Sequence, residues 1–245
     1  KMWPQIGTLP IPVGIVLAML IGAAIGCFNG FFVAKFKLHP FIVTLGTQLI
    51  LYTVLLLYVQ QGNNKGMAIS NLDPSYTGFV GGTMFRLGNI AIPWYVLYAV
   101  IITVIMWFIW NKTVFGKNMF AVGSNADAAK VSGVNVFLTT MMVHALAGAM
   151  YGYSGYIEAV RVGTVAMNTG LNAECDAIAA CVIGGVSFVG GIGKIRGIVI
   201  GVVMLRLIFV GLTMVGVPQD LQYLIKGAII LFACALDMRK YLVKK

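Results

Sequence analysis

Charge is scarce in this chain. Only 10% of its 245 residues are Asp, Glu, Lys or Arg and 7 are acidic, whereas 60% are hydrophobic and the mean hydropathy is +0.93. A water-soluble globule needs far more polar surface, so the composition excludes one and implies an integral membrane protein. Histidine is scarcer still: His39 and His144 stand alone and far apart. No metal ligand set or general-base cluster arises from such spacing, so no metal, no cofactor and no catalytic residue is expected. The 4 cysteines, Cys27, Cys175, Cys181 and Cys234, lie in apolar runs without CxxC spacing and fit small packing residues better than disulfides or ligands. A P-loop is also missing, because GGIGK at Gly190 to Lys194 lacks the earlier glycine and the following hydroxyl residue. The net charge of +10 would suit nucleic acid, but no basic face or basic-aromatic interleaving occurs, so no nucleic-acid partner is expected.

What the chain does have is long apolar runs, each about long enough to cross a hydrocarbon core of roughly 30 Å as a helix. The first is expected from about Ile11 to Phe36, entered through Pro10 and Pro12, with Ala18, Gly22, Gly26 and Gly30 spaced like a close-packing seam. A basic turn with Lys35 and Lys37 precedes Pro40, which opens a second span to about Val59. That span carries Thr44, Gly46, Thr47 and Gln48, which suit either a wet path or interhelical hydrogen bonds. Residues 60–90, rich in Gly, Asn and Ser, read as an external loop with little regular structure. A third span is expected at about Ala91 to Trp110, with Trp94 and Tyr95 at one end and Trp107 and Trp110 at the other. A fourth, from about Phe137 to Val160, places Ala145, Gly148, Gly152 and Gly155 on one face.

Residues 161–173 read as a second external loop. The run that follows, Glu174 to Gly190, is short and glycine-interrupted, which suggests a broken or partly re-entrant crossing. A sixth crossing is expected from Gly193 to near Gly216 and a seventh from about Leu221 to Leu236. The chain opens KMWPQ, without an initiator or a signal-peptide pattern, so it is expected to begin inside a longer protein.

Asn111 to Val136 interrupts these runs with a polar, basic stretch, inside which Asn125 to Val136 reads as a short helix capped by Ser124 or Asn125, with Asp127 at its positive end. With that stretch and the C-terminal tail on one side, Lys35, Lys37, Lys112, Lys117, Lys130, Lys194, Arg196, Arg239, Lys240, Lys244 and Lys245 gather there. Lys1, Lys65, Arg86 and Arg161 fall on the other. The positive-inside rule therefore makes residues 111–136 cytoplasmic. Arg206 and Lys226 remain within apolar runs, and such charges usually face a cavity or a partner. Glu174 and Asp176 are two residues apart, diverge on a helix and suit capping its N-terminus, with Glu158 across the loop.

The strings HPFIVTLGT (His39 to Thr47), NKTVFGKNMFAVGSNADAAKVSGVNV (Asn111 to Val136), ECDAIAACVIGGVSFVGGIG (Glu174 to Gly193) and LQYLIKGAIILFACALD (Leu221 to Asp237) resemble permeases of bacterial ABC importers for monosaccharides. The galactose and methyl-galactoside branch is the most similar, with the ribose branch next. This resemblance implies an all-α polytopic helical bundle, a single transmembrane permease domain over residues 1–245 that forms the C-terminal part of a ten-span permease in the bacterial inner membrane. It also implies a homodimer, a separate ATP-binding subunit and a periplasmic sugar-binding protein. ADAAKVSGV is similar to the acidic-Ala-Ala-x-x-x-Gly signature of coupling helices, which marks Asp127, Ala128, Ala129 and Gly133 as the contact with the ATPase. Thr44, Gln48 and Glu174 are candidates for the substrate path. Phe209 stands where an Asn is usual in that family and Arg206 replaces a neutral residue, which leaves ribose, another pentose or a nucleoside as alternative cargo. An ion-coupled secondary transporter is a further alternative, with only Arg206 and Lys226 to serve it.

Overall fold

The computed structural model describes residues 10–61, 66–69, 74–88, 90–166 and 168–242. They form two compact units, one of Lys1–Val104 with Asn135–Thr169 and the other of Ile105–Val134 with Gly170–Lys245. Lys1, Lys65, Lys244 and Lys245, used above to orient the chain, lie outside the described residues.

The first unit is built on α1 (Ile11–Phe36), α2 (Pro40–Gln60) and α7 (Val136–Val162). Prolines with a preset φ open α1 and α2, and Lys37, in the left-handed conformation at φ 53°, ends α1 so that the chain can turn sharply. The α1 and α7 helices run antiparallel with their backbones touching. A Cβ on Gly22 would meet the Gly148 carbonyl, one on Gly26 the His144 carbonyl, one on Gly152 the Ala18 carbonyl, and one on Gly30 the Met141 Cα at 2.8 Å. The two small-residue faces expected from the sequence are thus halves of one seam, which is how helices associate where lipid supplies no hydrophobic drive. Gly155 takes no part, since a Cβ there would meet no described atom within 4 Å. Phe31 and Phe137 close one end edge to face, with centroids 6.3 Å apart.

Residues 60–90 correct the expectation of an irregular loop. They contain α3 (Pro74–Gly81) and β1 (Thr83–Leu87), and β1 pairs antiparallel with β2 (Ile90–Pro93), Arg86 opposite Ala91. The reason lies in side chains hidden among the glycines: Val80 is fully buried, Phe79 stacks on Tyr98 at 5.2 Å, and the Tyr98 hydroxyl donates to the Phe79 carbonyl at 3.0 Å. Strand β2 leads directly into α4 (Trp94–Lys112), so the third span starts at Trp94 rather than Ala91.

The second unit holds α5 (Val114–Ser124), α6 (Ala126–Val131), α8 (Ala173–Ile183), α9 (Ile195–Met214) and α10 (Gln219–Leu242). Ala179, Ala180 and Leu205 form its buried core, with Ile183, Phe209, Ile229 and Ile230 packed around them. A second glycine seam joins α8 to α9: a Cβ on Gly184 would lie 2.5 Å from the Gly197 carbonyl, and one on Gly201 2.8 Å from the Gly184 amide.

Among the described residues five helices, α1, α2, α4, α7 and α9, are long and apolar enough to cross a membrane. Their large apolar side chains point outward, as at Leu20, Ile42, Leu55, Val104 and Leu207, which is the arrangement lipid rather than water selects. The fifth expected run holds an 11-residue helix, α8, that ends at Ile183, where the chain turns through left-handed Gly185, Gly190 and Gly191, in keeping with a short, interrupted element. At about 1.5 Å per residue it reaches roughly half the hydrocarbon thickness.

Candidate coupling and translocation sites

The polar stretch is more ordered than a loop with one short helix. Thr113 caps α5, its Oγ1 accepting from the Gly116 amide at 3.1 Å while its hydroxyl donates to the Ile109 carbonyl at 2.6 Å. This brings Gly116 against the end of α4, where a Cβ would lie 2.5 Å from the Ile109 carbonyl, and Trp110 meets Phe120 edge to face at 5.4 Å. The expectation that Asn125 to Val136 is a single helix is corrected. Helix α6 starts at Ala126 under an Asn125 side chain that accepts from the Ala128 amide at 3.0 Å, and ends at Val131. Gly133, at φ +83°, reverses the backbone so that the Val134 amide donates to the Ala129 carbonyl at 3.0 Å. No described atom lies within 4 Å of where a Gly133 Cβ would be, so its conformation, not space, requires glycine.

Of the four marked residues, Gly133 lies beyond the end of α6, and the three on α6 do not share one face. Ala129 is 4% exposed and packs within its own chain, whereas Asp127, Ala128 and Lys130 are exposed. Val131, which sequence reasoning passed over, is 91% exposed.

A backbone junction precedes α6. Gly123 and Ser124, at the end of α5, lie against Gly190 and Gly191, so that a Cβ on Gly123 would be 2.8 Å from the Gly191 amide and one on Gly190 2.7 Å from the Gly123 carbonyl. Gly190 and Gly191 have φ +103° and +70°, so both geometry and space demand glycine. The turn after α8 is therefore packed against the end of α5, directly before α6.

The structure separates the polar residues of α2. Thr47 is buried and its hydroxyl donates to the Asn29 Oδ1 of α1 at 2.5 Å, whereas the Thr44 hydroxyl returns to the Pro40 and Phe41 carbonyls of its own helix. Thr44 and Gln48 are both exposed. Asn29 was missed; it is the only amide among the apolar side chains of α1, and that isolation was the available signal. Among the carboxylates, Glu158 is held bidentately by Arg161 at 2.8 and 2.6 Å, and the guanidinium lies 5.8 Å from the Tyr95 ring centroid. Glu174 is exposed in the first turn of α8.

The two charges within apolar runs fare differently. Arg206 projects exposed from α9 and makes no ion pair among the described residues. Lys226, on α10, forms an ion pair with Asp176 of α8, and its Nζ lies 5.3 Å from the Phe209 ring centroid and 5.1 Å from that of Tyr223. One carboxylate and two ring faces thus hold the ammonium of Lys226. Asp176, expected as a cap, instead joins α8 to α10.

Residues 2–234 match the family described as branched-chain amino acid transport system / permease component. The chain is 46% identical over 245 residues to the galactose/methyl galactoside import permease protein MglC of Escherichia coli K12, covering 100% of this chain and 72% of that protein. It is 43% identical to the same permease of Haemophilus influenzae, with the same coverage. The xylose transport system permease protein XylH of H. influenzae is 32% identical over 279 residues, covering 93% of this chain and 74% of that one. No solved structure matches.

Proposed function

Because this chain belongs to that transport permease family and is a multi-pass inner-membrane protein, we propose that it is the membrane subunit of an ATP-driven importer that carries a galactose-type monosaccharide into the cytoplasm. The observation that supports the cargo most directly is the similarity across the whole chain, 46% to a galactose/methyl galactoside permease against 32% to a xylose permease. In this reading α8 together with the glycine-rich turn after it makes one broken crossing and α10 another, for seven in all within a ten-span permease that pairs with a second copy of itself.

The mechanism is alternating access. A sugar-loaded binding protein docks on the external segments 60–90 and 161–173 and releases its cargo into a path between permease copies. A separate ATP-binding subunit grips α6 through Asp127, Ala128 and Val131, while Ala129 and Gly133 shape the helix it grips. Nucleotide-driven movement of α6 passes through the Gly123–Gly190 junction to α8, and so biases outward- and inward-facing packings of the spans. The permease makes and breaks no covalent bond.

The test is uptake of labelled galactose by membrane vesicles carrying this chain with its ATPase and binding protein. ATP-dependent accumulation of galactose is expected. Accumulation driven by an ion gradient without ATP would overturn the proposal.

A further inference from the structure

Lys226 sits in an unusual enclosure for an ammonium group inside a membrane protein. Its side chain is 12% exposed, two rings flank its Nζ, and the Asp176 Oδ1 that it pairs with is itself buried. The Asp176 side chain is nevertheless 44% exposed. Since Oδ1 is covered, that exposure falls on the rest of the side chain. The ring-held lysine fixes the direction of the carboxylate in the first turn of α8, and a carboxylate has more lone pairs than one ammonium contact uses.

We propose that Asp176 is a ligand-contacting residue that accepts hydroxyl hydrogen bonds from a neutral polyhydroxylated ligand, and that Lys226, steadied by Phe209 and Tyr223, is its positioning residue. This rests on the reading of the chain as a sugar permease and names a contact point on its path. The charge balance selects the ligand class. A free carboxylate would attract cations and a free ammonium anions, but here each already neutralises the other, so a zwitterion such as an amino acid would have to break the pair to bind. A hydroxyl needs only a lone pair that the ammonium leaves unused. Such a contact discriminates strongly between a sugar and its deoxy analogue, because the analogue leaves a partly buried acceptor unpaired.

The experiment uses the complete importer in proteoliposomes and compares initial uptake of D-galactose, its monodeoxy analogues and L-leucine. The binding protein is the same in every arm, so a changed ratio belongs to the permease. Asp176→Asn, which turns part of the acceptor into a donor, is expected to lower galactose uptake about tenfold and to bring one deoxy analogue within about twofold of galactose. Lys226→Met is expected to do the same, and Lys226→Arg to recover the wild-type ratio because it restores a cation beside the carboxylate. The double variant Asp176→Asn with Lys226→Met leaves no lone charge to disturb folding, so its continued loss of discrimination reads the site itself. If the double variant, or the swap Asp176→Lys with Lys226→Asp, transports with the wild-type rate and analogue ratio, the pair is a helix tether and the proposal falls while the permease function stands. If the wild type carries leucine and not galactose, the functional reading fails instead.

Discussion

Ile69 and Val165 exchange two backbone hydrogen bonds, each 2.9 Å long, and so join the two segments that face the proposed binding protein. Neither segment is then a free loop, and the first also holds α3 and β1 of the β1–β2 hairpin. Val165→Pro removes one donor and distorts the other bond, a loss of about 0.5–1.5 kcal/mol for each. The expected outcome is weaker capture of the loaded binding protein by the reconstituted permease, measured by surface binding, with membrane insertion unchanged.

A second prediction concerns the exposed side of α6. Val131→Glu is expected to abolish co-purification with the ATP-binding subunit while leaving the chain inserted and monodisperse, because Val131 touches little of its own chain. Ala129→Glu is expected to fail differently, by destabilising α6 on α5, since its side chain is buried there. Limited proteolysis of residues 113–134 separates the two: cleavage rises in the Ala129 variant and not in the Val131 variant.

The glycine seam between α1 and α7 makes a third prediction, with its own control. Gly22→Leu drives a side chain into the Gly148 backbone, which has no rotamer to yield, and overpacking of this kind costs about 1–3 kcal/mol or more. Detergent-purified protein should lose thermal stability by several degrees or fail to accumulate. Gly155→Leu, three residues beyond Gly152 of the same seam but with no described atom within 4 Å, should be tolerated.

Fourth, Thr47→Val is expected to cost about 0.6 kcal/mol, the average worth of an interhelical hydrogen bond in a membrane protein, and to leave Asn29 without its donor. Thr44→Val is expected to cost nothing in stability, because Thr44 bonds only within its own helix. Equal destabilisation by the two substitutions, measured by unfolding in mixed detergent, would contradict the assignment.

The spans and the seam were legible because each is a repeated signal: apolar length in the one case, a small residue every fourth position in the other. Glycine at 22, 26 and 30 announces a close neighbour but not which helix it is, and only the matching steps at 148 and 152 identify it. Single residues were less legible. Thr44 and Thr47 are one helical turn apart and chemically identical, so which of them meets α1 depends on where α1 lies. Helix α6 has six residues, too few for periodicity to say that Ala129 faces inward and Ala128 outward. Helix α3 and the hairpin were hidden by the glycines around them, although the aromatic pair Phe79 and Tyr98 holds them in place. The pairing of Asp176 with Lys226 joins residues far apart in the chain, and no local pattern carries it.

The backbone contact between α1 and α7 also limits how this protein moves. Where two helices are separated by side chains, rotamer changes let one slide past the other. Here the carbonyls of one helix rest on the Cα atoms of its neighbour, with no compliant layer between them. The pair is a solid beam, and any change of shape during a transport cycle has to bend at its ends: at the Lys37 turn that closes α1 and at the Gly163 turn that closes α7.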